Sequence, residues 1–179
     1  MIKLNEIIEQ YGDYEVDEEK LKEILIKPAP KSVWDLKHGD KYYNIVYTAD
    51  GFRVRCYRWG NILYDREARD IGNVFLTEEE AEFEIERRKV EAILLKYGRR
   101  NWKYHKNNFI IHYGFGYTGF GRNKLIINDN RTIGYQGTIY FDTEELCEQA
   151  IKEAGKDNII KYIFGVDEDG NAQADTEEN

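Results

Sequence analysis

The chain is poor in the residues that most often carry chemistry. Its 179 residues include two cysteines, three histidines, one methionine and two prolines. Cys56 and Cys147 lie far apart, with no further Cys or His at zinc spacing, which excludes a zinc ribbon and a C-x-x-C redox pair. Two scattered cysteines suit a reducing cytoplasm, where each behaves as a small buried hydrophobe. His38, His105 and His112 form no ligand cluster, and no G-x-S-x-G, H-E-x-x-H or phosphate-loop string is present. These absences point away from an enzyme, a metal site and a bound cofactor. No apolar run approaches a membrane span, and Met1–Glu6 lacks the apolar core of a signal peptide. The expected setting is a cytoplasm, which becomes the host's if a phage encodes the chain.

What is abundant is charge and aromatic area. Charged residues make up 34% of the chain, against 41% hydrophobic, so the apolar payload must come from fourteen tyrosines, eight phenylalanines and three tryptophans. The net charge of −8 is uneven. Residues 1–23 carry eight acids against three lysines, and residues 167–179 carry six acids and no base, which leaves a mildly basic middle.

A second regularity is internal. Phe75-Leu76-Thr77-Glu78-Glu79 recurs as Phe141-Asp142-Thr143-Glu144-Glu145 at a spacing of 66 residues, and the same offset carries Tyr43–Tyr47 onto Phe109–Tyr113. It also pairs Glu82 with Glu148, Ile85 with Ile151 and Ile93 with Ile159. One offset spanning an aromatic strand pattern and a helix start predicts a duplicated strand-to-helix unit. The expected fold is therefore α+β, with two repeated antiparallel sheet-plus-helix units behind a short N-terminal helical segment.

The boundaries follow from local signals. Residues 1–30 hold two short helices, near 2–11 and from Asp17, and end in the Pro28-Ala29-Pro30 linker. Residues 31–98 and 99–166 are the two repeats, and 167–179 is an acidic disordered tail. In the first repeat, strands are expected over 42–47 and 52–57 around the Asp50-Gly51 turn, then at Ile62–Tyr64 and Asn73–Leu76, with Asp65–Asp70 a charged loop. Thr77 with Glu80 forms a capping box for a helix that Gly98 stops. In the second, strands are expected over 108–113, 124–127 and 137–141, a helix from about Thr143 to Gly155, and a last strand at Ile159–Val166.

Three constellations are candidates for function. Gly114-Phe115-Gly116-Tyr117-Thr118-Gly119 matches G-x-G-x-x-G, but a strand rather than a helix follows it, so the dinucleotide context fails. Its better reading is an aromatic-tipped hairpin whose Phe115, Tyr117, Phe120 and Arg122 contact a protein partner. The alternative is nucleic-acid binding through the basic middle, with Arg53, Arg55, Arg58, Arg99, Arg100 and Lys103 on phosphate and Trp102 stacking on bases. The carboxylates of 64–70 read as a solvated loop, and capture of a small nucleotide between the repeats is a third class.

Trp34-Asp35-Leu36-x-x-Gly39-Asp40-x-Tyr42-Tyr43, followed by Gly72-Asn73-x-Phe75-x-Thr77-x-Glu79-Glu80-Ala81, resembles small proteins of phages and prophages of Gram-positive bacteria. The resemblance covers roughly residues 10–166 and carries no functional residues with it. It implies a context in which accessory proteins bind and modulate host machinery, including CRISPR-type defence. The expectation is thus a non-enzymatic interaction protein that binds a host protein, of no predicted oligomeric state.

Overall fold

The computed structural model describes residue 9 and residues 32–114, 124–130 and 132–166. The expected N-terminal helices, the proline linker, the aromatic loop residues 115–122 and the acidic tail lie outside these described residues. The chain divides into two compact units, residues 1–35 and 36–179. In the first, Val33–Asp35 forms one 3-10 turn, with Ser32 Oγ accepting from the Trp34 amide at 3.1 Å.

The second unit is α+β, built from two antiparallel hairpins that pack against helices. Strands β1 (Lys41–Thr48) and β2 (Gly51–Arg58) pair from Lys41↔Arg58 to Thr48↔Gly51. Gly51 closes the turn at φ 105°, a conformation that side chains disfavour. Strands β3 (Phe109–Gly114) and β4 (Lys124–Asp129) pair from Phe109↔Asp129 to Gly114↔Lys124.

The expected strands at 73–76 and 137–141 are reduced to single bridges. Tyr43 exchanges two backbone bonds with Phe75, each 2.9 Å, and Phe109 exchanges two with Phe141, at 3.0 and 2.8 Å. Tyr140 bridges Arg99 in the opposite direction, because successive residues of an extended chain turn their polar groups to opposite sides. A ladder cannot lengthen from one residue per neighbour. The two Phe bridges stand 66 residues apart, and each precedes a threonine-capped helix: Thr77 before Glu78–Tyr97, and Thr143 before Glu144–Ala154.

Two sequence expectations need correction. Leu63–Asp70 is a helix, α1, where a short strand and a charged loop were expected. No Ser, Thr, Asp or Asn stands at its N-cap, Ile62. The Asp65 carboxylate does that work from the first turn, accepting from the amides of Gly60 at 2.8 Å and Ile62 at 3.2 Å. Likewise Lys156–Phe164 is a helix and not the final strand. Gly155, at φ 83°, ends the preceding helix and lets the chain restart, and the Val166 amide closes the last turn on the Ile160 carbonyl at 3.2 Å.

In chain order the helices are thus α1, α2 (Glu78–Tyr97), α3 (Glu144–Ala154) and α4 (Lys156–Phe164). Helix α2 packs against β1, β2, α3 and α4. Its Val90 and Leu94 join Phe141, Cys147, Ala150, Ala154 and Ile159 in a buried apolar cluster. Gly98 ends α2 where a Cβ would stand 2.6 Å from Ile139 Cγ2 and 3.0 Å from the Tyr140 carbonyl, so only glycine lets the Arg99–Tyr140 bridge approach.

Candidate functional site

The β1–β2 hairpin presents two chemically different faces, because cross-strand partners share a side and successive residues alternate. Tyr42 and Asn44 lie with Tyr57 and Arg55 on one face; Tyr43, Ile45 and Tyr47 lie with Cys56, Val54 and Phe52 on the other. The first face is latched to α1. The fully buried Tyr42 stacks on Tyr57, meets Trp59 edge-on, both at 5.7 Å, and donates its hydroxyl to Asp65 at 2.8 Å. Burial, reinforced by that bond, pushes the Tyr42 phenol well above its ordinary pKa. Asn44 donates to the Tyr64 hydroxyl at 3.3 Å and accepts from Asn73, whose amide also donates to the Ile45 carbonyl at 2.9 Å. This side of the hairpin is rigidly held.

The second face turns toward α2 and leaves a cleft of about 310 Å³ lined by Ile45, Phe52, Ile85 and Ala92 with Arg88 and Lys89. At the turn end of the hairpin, Tyr47 is 77% and Phe52 60% exposed, their rings edge to face at 5.5 Å. Isolated exposed aromatics are ordinary, but a paired set beside an apolar cleft is a candidate contact surface. Sequence reasoning did not single out this pair, although the Asp50-Gly51 turn signal places both residues at a hairpin end.

The residues of the nucleic-acid reading fall into two groups. Arg53, Arg55 and Arg58 are exposed on β2, with Arg58 Nη1 donating to the Gly39 carbonyl at 3.0 Å. Arg99 is instead a structural residue, only 17% exposed in its side chain. It bonds Asp142 at 3.0 Å, Asn108 Oδ1 at 3.0 Å, the Asn107 carbonyl at 3.1 Å and the Asn101 carbonyl. Arg100 pairs with Glu91 at 3.0 Å and Lys103 with Asp142 at 3.5 Å. Trp102 is half-buried over Gly134, where an added Cβ would come within 3.4 Å of the indole. The hydrogen bond from Arg99 holds the Asp142 carboxyl below the usual carboxylate range. Phe115, Tyr117, Phe120 and Arg122 lie outside the described residues.

Elsewhere the polar groups read as structural. Burial pushes the Cys147 thiol up to about 12, which leaves it protonated and inert at neutral pH. Burial of Glu84 raises its pKa, but bonds from Arg87 and Arg88 outweigh that and leave it lowered. Among the described residues no group of three or more His, Cys, Asp or Glu side chains is placed to hold a metal, and no helix is long and apolar enough to cross a membrane. Comparison with family models, with curated proteins and with solved structures returns no match to this chain.

Proposed function

We propose that this chain is a non-enzymatic interaction protein whose β1–β2 hairpin docks a partner protein. The observation that carries this reading is the Tyr47–Phe52 pair, exposed at the hairpin end beside the apolar cleft against α2. Such rings offer large contact area with only two side-chain torsions to order, which favours affinity. The resemblance to phage and prophage proteins supplies the setting: the partner is a host protein, such as a component of CRISPR-type defence. A nucleic-acid reading has less support, because Arg99, Arg100 and Lys103 already hold internal acceptors or carboxylates.

The test is affinity capture from a bacterial lysate, comparing the native chain with Tyr47→Ala/Phe52→Ala. Both side chains are mostly exposed, so the double change costs little stability, within about 1 kcal/mol. The expected outcome is a captured protein that the double variant fails to retain. Absence of any captured protein, or capture indifferent to the change, overturns the reading.

A further inference from the structure

We infer that the outer edge of β2 is the docking track of an extended peptide, added as a third strand and carrying acidic residues on one face. The inference deepens the protein-interaction reading and rests on it. Tyr43 turns both backbone groups toward Phe75, and the Ile45 carbonyl turns the same way, toward Asn73. Backbone direction alternates along an antiparallel strand, so Tyr42, Asn44 and Val46 are the residues that bond β2, at Tyr57, Arg55 and Arg53. Phe52, Val54 and Cys56 therefore aim their N–H and C=O groups outward. Among the described residues the hairpin has two strands, and none of those residues bonds these groups. Nothing there blunts the edge by a bulge or a proline.

The space beside this edge is shaped for an added chain. A groove of about 580 Å³ runs between Phe52–Val54 and the helices, with Phe83 and Ile85 of α2 and Tyr162 of α4 in its lining. Phe83 and Tyr162 pack ring to ring at 5.1 Å. Every second side chain of an added strand points toward this lining, and apolar residues fit there.

The alternate side chains of that strand face Arg53 and Arg55. These two guanidinium groups are exposed, share one face roughly 7 Å apart along β2, and form no ion pair among the described residues. They also decide the occupant. A second copy pairing antiparallel about Val54, the middle of the outward residues, sets Arg53 opposite the partner copy's Arg55, and like charges directly opposed are destabilising. Acidic residues at those positions are attracted instead. The groove lining carries Glu79, Glu82 and Glu86 against Lys89, Lys161 and Arg53 itself, three of each sign, so the exposed Arg53 and Arg55 side of the strand sets the charge preference.

The test uses the full chain and two fluorescein-labelled octapeptides, alternating Glu-Val and alternating Lys-Val, read by fluorescence anisotropy. The expected result is salt-sensitive binding of the Glu-Val peptide with clear preference over Lys-Val. Cys56→Pro deletes an outward N–H without touching the ladder to β1, so the thermal midpoint holds while affinity falls about tenfold, as for one lost backbone bond. Arg53→Glu/Arg55→Glu reverses the preference to the Lys-Val peptide and keeps every backbone group. Failure of Glu-Val to bind, equal binding of both peptides, or no change in both variants overturns the inference. Self-association that Cys56→Pro abolishes assigns the edge to a second copy and overturns it too. Lysate capture that depends on Tyr47 and Phe52, together with no peptide binding, refutes the edge and leaves the interaction reading standing.

Discussion

Replacing Asp65 with alanine tests how the hairpin is held in place. The carboxylate is 3% exposed and accepts three bonds, from the Tyr42 hydroxyl at 2.8 Å and from the amides of Gly60 at 2.8 Å and Ile62 at 3.2 Å. Asp65→Ala strands the hydroxyl of a fully buried tyrosine, at a cost of about 1–3 kcal/mol. The two amides are only partly buried and recover water in part, adding roughly 1 kcal/mol between them. The sum, about 2–4 kcal/mol, is a large share of the 5–15 kcal/mol typical of a domain. Tyr42→Phe removes one donor and leaves the carboxylate its two amides, for about 1–2 kcal/mol. Because both changes break the same bond, the double variant should cost about 1–2 kcal/mol less than their sum. Urea unfolding followed by tryptophan fluorescence suits the measurement, since Trp59 is buried against the Tyr42 ring. An Asp65→Ala cost below about 1 kcal/mol, or strictly additive single changes, refutes the latch.

Two further outcomes follow from buried and paired groups. Cys56 is exposed and Cys147 buried with its thiol pushed up to about 12, so a thiol reagent at mildly alkaline pH should modify one cysteine in the folded protein and both after unfolding. Rapid modification of both in the native state contradicts the packing around α3. Asp142 is held below the usual carboxylate range by Arg99, so the folded state takes up its proton less readily than the unfolded chain. Its contribution is full above the unfolded carboxylate value of about 3.9 and is lost as pH falls through the lower folded value. Asp142→Asn should therefore show a flatter loss of stability between about pH 5 and 2 than the native chain, and equal slopes contradict the assignment.

Much of the architecture was legible because its signals are local. The capping box at Thr77 appears as read, with Thr77 Oγ1 accepting from the Glu80 amide at 3.1 Å and the Glu80 carboxylate reaching the Thr77 amide at 3.3 Å. The Asp50-Gly51 turn and both hairpins were equally readable. Helix α1 was hidden because its decisive partner is tertiary: Asp65 is fixed by Tyr42, twenty-three residues earlier. Helix α4 was misread because Ile160, Tyr162, Phe164 and Val166 alternate like a strand, whereas the buried Ile159 follows helical packing. The 66-residue offset pairs Ile159 with Ile93, a residue of α2, and was the better guide there. Of the site, the basic face of β2 could be read from alternation, but the engagement of Arg99 could not. Its acceptors Asn108 and Asp142 come from separate segments that only the fold assembles.

The most direct test of the interaction surface is residue-resolved amide exchange by NMR on the free protein and with the Glu-Val peptide. Amides at Arg53, Arg55 and Tyr57, which bond β1, should be protected, and those of Val54 and Cys56, which turn outward, should exchange fast. Adding the peptide should slow Val54 and Cys56 selectively. Protection of Val54 and Cys56 in the free protein would show the edge already covered, and exchange at those amides unchanged by the peptide would show that no strand adds to it.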